Sequence, residues 1–148
     1  MSAPPPNATN SRVLRLRTDG AARGNPGPAG LGMVIEAEDG TRLWAGYSFA
    51  GEMTNNRAEY LALIAGLQKA TTFHPDRLEV CLDSQLVVEQ LNGRYKIKNR
   101  QLQELAVRAR QLLNELPGTT LRYVPRAENA AADALANRAL DEARSKAK

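Results

Sequence analysis

The sequence has one cysteine, Cys81, and one histidine, His74, in 148 residues. A lone cysteine excludes an internal disulfide framework and suits a reducing compartment, so a cytoplasmic setting is expected. A lone histidine leaves too few imidazoles for a histidine-rich zinc site and argues against a Ser-His-Asp hydrolase. No apolar run approaches the ~20 residues of a membrane-spanning helix, so no membrane partner is expected. The start, MSAPPPNATN, lacks the charged and apolar parts of a secretory signal. There is no internal repeat. What remains is ordinary: 43% hydrophobic and 24% charged residues, the mix of one soluble domain with one core. The formal charge of +4 permits a polyanionic partner without demanding one.

Residues 1–11, with three consecutive prolines, read as a disordered tail and residues 143–148 as a short polar one, leaving 12–142 as the domain. Val13 to Thr18 alternates as a strand, with Leu14, Leu16 and Thr18 on one face and Arg15, Arg17 and Asp19 on the other. A loop rich in glycine and proline, Gly20 to Gly30, is expected to follow. Leu31 to Glu36 and Thr41 to Ser48 read as strands around an Asp39-Gly40 turn, which makes an antiparallel meander. Thr54 to Ala70 has helical spacing, with Thr54 or Asn55 as cap. Leu78 to Leu82 is a strand that a crossover makes parallel, and Ser84 caps a short helix, Gln85 to Leu91. A basic stretch, Gly93 to Arg100, leads into an amphipathic helix ended by Pro117-Gly118. Thr119 to Val124 is a fifth strand, Pro125 to Asn129 a loop and Ala130 to Glu142 the last helix.

Four acids occupy similar places on this outline. Asp19 and Asp83 are expected at strand ends, Glu59 and Asp133 near helix starts. Each alone is explained as a turn or cap acid, or by the positive end of a helix. Together, if the first, fourth and fifth strands are neighbours, they converge on one sheet edge. Four clustered carboxylates raise one another's pKa values, and hard divalent cations resolve that conflict with oxygen ligands. Two such ions activate a water and stabilise a leaving oxygen in phosphodiester cleavage, with no need for histidine or serine.

The same residues carry a family pattern. Thr18-Asp19-Gly20 with Gly24-Asn25-Pro26-Gly27-Pro28-Ala29-Gly30 resembles the opening of type 1 ribonuclease H. Thr54-Asn55-Asn56-Arg57-Ala58-Glu59 resembles its second motif and Asp83-Ser84-Gln85 its third. The stretch from Glu128 to Ala136, which contains Asp133, resembles its fourth. Four motifs in this order are far more specific than any one. The resemblance implies an α/β fold with a five-stranded mixed sheet in the order 3-2-1-4-5, strands 1–3 antiparallel. It implies endonucleolytic hydrolysis of the RNA strand of RNA–DNA hybrids, leaving 5′-phosphate and 3′-hydroxyl ends. It implies Asp19, Glu59, Asp83 and Asp133 as catalytic metal ligands for two Mg²⁺ ions, with Mn²⁺ as a substitute. Asp19 would bridge the ions, Asp133 would join it around the water-activating ion, and Glu59 and Asp83 around the ion beside the leaving oxygen.

Substrate contacts transfer by position as well. Asn25, Asn56 and Gln85 resemble amides that line the minor groove of the hybrid, where 2′-hydroxyls distinguish RNA from DNA. Thr54 and Asn99 match a pocket for a DNA-strand phosphate; where some members add an arginine, this chain has Glu52. The loop histidine of many bacterial members is absent, leaving Arg126, Glu128 and Asn129 as auxiliary candidates. The long basic protrusion is absent too, so modest, salt-dependent affinity is expected. Double-stranded RNA is a second candidate partner, and a monomer is expected. The alternatives are a catalytically inactive module binding hybrid or double-stranded RNA, and a DNA or junction nuclease of the same superfold.

Overall fold

The computed structural model describes residues 12–146. The tail expected over residues 1–11 lies outside the described residues. Five strands, β1 (Val13–Ala22), β2 (Gly27–Ala37), β3 (Arg42–Met53), β4 (Arg77–Leu82) and β5 (Thr119–Tyr123), form one sheet in the order β3-β2-β1-β4-β5. β1, β2 and β3 pair antiparallel; β4 is parallel to β1 and β5 to β4. This is the expected sheet.

The helices are α1 (Asn55–Thr71), α2 (Gln85–Leu91), α3 (Arg100–Glu115) and α4 (Ala130–Lys146), with a 3-10 turn at Arg126–Asn129. Alternation along the strands divides them between two faces. Leu14, Leu16, Ile35, Leu78 and Val80 are buried on one face with Leu63 and Leu67 of α1, Val87 of α2, and Ala106 and Ala109 of α3. The opposite face of β1, β2 and β3 receives α4, which buries Ala132, Ala136, Ala139 and Leu140. Among the described residues, no helix is long and apolar enough to cross a membrane.

The glycine-rich stretch departs from expectation. β1 continues through Asp19 and Gly20 to Ala22, and β2 begins at Gly27, so the connection shrinks to residues 23–26. The glycines serve packing more than turning. A Cβ on Gly20 would stand 2.1 Å from the carbonyl oxygen of Ala58 in α1, and one on Gly32 2.1 Å from that of Ala132 in α4. Only bare backbone lets both helices lie this close to the strands, and cross-strand pairing overrides the weak strand preference of glycine. α4 likewise extends to Lys146, so residues 143–146 are helical rather than a separate tail.

Candidate active site

The site begins with a mismatch of strand lengths. β4 pairs with β1 only as far as Leu82 opposite Thr18, while β1 goes on to Ala22. The Arg23 N–H bonds the Pro28 carbonyl on the β2 side, so the N–H groups of Gly20 and Ala22 face the place that β4 has vacated. Backbone groups left unpaired inside a protein are costly, and side chains take over here. Glu59 Oε1 accepts from the Gly20 N–H at 3.1 Å, and Asn55 Oδ1 from the Ala22 N–H at 3.1 Å. On the same edge, Asn129 Nδ2 donates to the Thr18 carbonyl at 2.9 Å.

Asp19 and Asp83 each follow the last β1–β4 pair, one on each strand. Asp19 was expected where its strand ends; it lies within β1, and the strand that ends beside it is β4. Carboxylate oxygens of Asp19, Glu59 and Asp83 all lie within 4.8 Å of one another. Asp133, in the first turn of α4, stands outside this trio but lines the same cleft of about 210 Å³, with Gly20, Ala21, Asn55 and Arg126. The four acids thus share one cavity: three converge on one point, and Asp133 joins them through Asp19.

Burial sets the electrostatics. Asp19 is 5% exposed and Glu59 7%. Loss of water, then the charges of Glu59 and Asp83, then a hydrogen bond with Asp133 and its charge, push Asp19 up to about 9. Glu59 rises to about 8, chiefly through burial, against the pull of its bond from Gly20. Asp83 is also raised by burial, opposed by the Asn129 amide and by Arg126. Arg126 comes within 3.7 Å of Asp133, but its side chain is 82% exposed, so water screens this pair heavily. Three acids pushed up by burial and by one another, with one solvated arginine nearby, form a hard-oxygen donor set that suits a divalent cation.

The other candidates lie around the rim. Asn25, in the β1–β2 connection, accepts from the Asn55 N–H at 3.0 Å and so has only its NH₂ end left to offer. Thr54 caps α1 by accepting from Arg57 N, and Asn99 caps α3 by accepting from Leu102 N. The two helix starts are joined by Arg57 Nη1 donating to Gln101 Oε1 at 3.2 Å. Asn56 is half-buried, Gln85 exposed at the start of α2, and Glu128 exposed on the 3-10 turn. Gly20 and Asn55 do more than their motifs suggest: the first admits α1, the second closes the edge of β1.

Comparison with known proteins agrees with this geometry. The family model described as "Reverse transcriptase-like" matches residues 17–139. The chain is 49% identical over 125 residues to the ribonuclease HI of Halobacterium salinarum, covering 84% of this chain and 63% of that protein. The chain belongs to the type 1 ribonuclease H family. It is also 45% identical over 129 residues to the bifunctional protein Rv2228c of Mycobacterium tuberculosis, covering 86% of this chain and 35% of the relative. It therefore spans under two thirds of the length of these two curated relatives. Among solved structures, LC11 ribonuclease H1, crystallised in complex with an RNA/DNA hybrid, superposes with a TM-score of 0.83 at 42% identity. That match covers 88% of this chain and 98% of that one. The ribonuclease H fold, the order of its strands and its acidic cleft are thus common ground between sequence and structure.

Proposed function

We propose that this chain is an endoribonuclease that hydrolyses the RNA strand of RNA–DNA hybrids with the help of divalent metal ions. The observation that carries the reading is the convergence of Asp19, Glu59 and Asp83 within 4.8 Å, with Asp133 in the same cleft. The donor set suits Mg²⁺, or Mn²⁺ in its place: all ligands are carboxylate oxygens, two are nearly inaccessible, and no internal base neutralises them. Asp19, Glu59, Asp83 and Asp133 would hold the ions, with Asp19 as the ligand shared between them. When bound, two such ions supply a water of lowered pKa and charge stabilisation for the leaving oxygen.

The protein's own work is placement. Glu59 is fixed by the Gly20 N–H, so its second oxygen is left for a ligand. Asp19 in β1 and Asp83, one residue past β4, both directly follow the last β1–β4 pair, Thr18 with Leu82, which places them side by side without a flexible linker. The attacked phosphorus gains a bond to water oxygen and loses its bond to the 3′ oxygen, giving 5′-phosphate and 3′-hydroxyl ends. Asn25, Asn56 and Gln85 read the minor groove in this scheme, and the paired helix starts at Thr54 and Asn99 favour a DNA-strand phosphate. Buried, unpaired Cys81 supports the cytoplasmic setting expected from the sequence.

The test is cleavage of end-labelled hybrid, duplex RNA, duplex DNA and junction DNA in Mg²⁺ or Mn²⁺. Hybrid cleavage confined to the RNA strand and abolished by EDTA is expected. Binding of hybrid without product in either metal would favour an inactive module, and preference for junction or duplex DNA would favour another nuclease of the superfold.

A further inference from the structure

Beyond the cleft, on the sheet face that α4 leaves open, lies a row of charges across four strands. Glu36 of β2 pairs with Arg15 and Arg17 of β1 at 2.9 and 3.1 Å. Glu79 of β4 pairs with Arg15 at 2.6 Å and with Arg122 of β5 at 2.9 Å. Four of these five charges find their hydrogen-bond partners inside the row. Arg17 does not stop there: its Nη1 reaches out of the row and donates to the backbone carbonyl of Glu128 at 2.8 Å.

Glu128 belongs to the 3-10 turn Arg126–Asn129, a single short turn of the kind that rarely stands alone. Its first residue follows Pro125, which offers no side-chain cap, and the Glu128 N–H donates to the Pro125 carbonyl. Two bonds from β1 add tertiary support: the Arg17 guanidinium on the Glu128 carbonyl, and the Thr18 carbonyl receiving Asn129 Nδ2. Consecutive residues of one strand thus grip consecutive residues of the turn. The turn leads directly into α4 and Asp133, and it carries Arg126, the cation that lines the cleft. A guanidinium suits this task because its planar fork presents separate donors in fixed directions, here one to Glu36 and one to Glu128.

We propose that Arg17 is a positioning residue: clamped by Glu36, it fixes the turn 126–129, and with it Arg126 and the start of α4, over the acidic cleft. The proposal rests on the hydrolase reading for its kinetic effect but not for its structural one. Arg17 touches neither substrate nor the close trio, so its loss disturbs the order of the turn and leaves hybrid binding through the rim residues in place.

The experiment compares Arg17→Met with Arg122→Met. The second removes another arginine of the same charge row, whose hydrogen-bond partner is Glu79 and not the turn. Amide hydrogen exchange over residues 125–133 is measured on the metal-free full chain, and kcat and KM on hybrid in Mg²⁺. For Arg17→Met, exchange in that segment about tenfold faster is expected, with kcat down about tenfold and KM within twofold. For Arg122→Met, both readouts stay at the wild-type value. Wild-type exchange in Arg17→Met overturns the clamp; faster exchange with unchanged kcat overturns its bearing on catalysis. Equal effects in the two variants would reduce Arg17 to one ion pair among several. A wild-type chain that cleaves no hybrid would sink the hydrolase reading, while the exchange data still decide the clamp.

Discussion

The two walls of the cleft are built alike and finished differently. α1 and α4 both press onto bare strand backbone, at Gly20 and at Gly32, from opposite faces of the sheet. Yet α1 delivers Glu59 into near-complete burial with a backbone N–H already bound, while α4 delivers Asp133 partly exposed, beside a solvated arginine and joined to the trio through Asp19. The first wall is rigid because its acid also completes the edge of β1. The second depends on a short turn held by bonds from β1. The first wall is held by the acid itself; the second is held one step back, through the turn that precedes it.

Removing the residue common to both walls should have the largest effect. Asp19→Asn is expected to lower kcat by about 10³-fold or more, because it deletes the shared ligand of the proposed two-ion site. The fold should survive; Asn needs no proton to be neutral in the cleft, which should raise metal-free stability near neutral pH by about 1–2 kcal/mol or more. Activity assays and thermal melts in EDTA check both parts, and persistent cleavage would refute the bridging role. Unequal walls should then show as unequal losses. Glu59→Gln is expected to cost about 10²-fold or more in kcat, and Asp133→Asn only about tenfold at saturating metal. Equal losses under those conditions would erase the distinction.

Packing gives the next effect. Gly20→Ala puts a Cβ 2.1 Å from the Ala58 carbonyl oxygen, so α1 must move away from β1. A destabilisation of about 3 kcal/mol, read from urea unfolding, is expected, with loss of the Glu59 bond. The smallest effect is a pH slope. Metal-free Asp19 and Glu59 keep their protons to about 9 and 8 when folded, and lose them near the ordinary carboxylate values when unfolded. The native state therefore binds more protons across that window, and stability falls as pH rises from about 4 to about 9. Melting temperatures in EDTA should drop by several degrees between pH 5 and pH 9, and less steeply in Asp19→Asn. Saturating Mg²⁺ should flatten the wild-type slope by taking the place of the protons.

The architecture was legible because its signals are local. Alternation marked the five strands, and Thr54 and Ser84 cap the helices that follow them; that Asn99 caps α3 emerged only from the structure. The acids were legible as types at motif spacing. Their distances and unequal burial were not, since these depend on how closely each helix settles on the sheet. Gly20 to Gly30 misled for the same reason. Glycine and proline are turn formers locally, and nothing in the stretch itself reveals that two helices need the absence of Cβ atoms there. The bond from Arg17 to Glu128 joins residues 111 apart in sequence, and only tertiary register brings them together.

The overrun of β1 past β4 has one further consequence. A strand flank stripped of its neighbour is an open invitation to any extended chain, its own copies included. Here the berth is taken by Asn55, Glu59 and Asn129, whose side chains fill the hydrogen-bonding positions that an intruding strand would need. The groups that shape the cleft for its ligands therefore also stand guard against misassociation. A chain stripped of Asn55 and Asn129 together would lose solubility along with activity, because the same few atoms serve both ends.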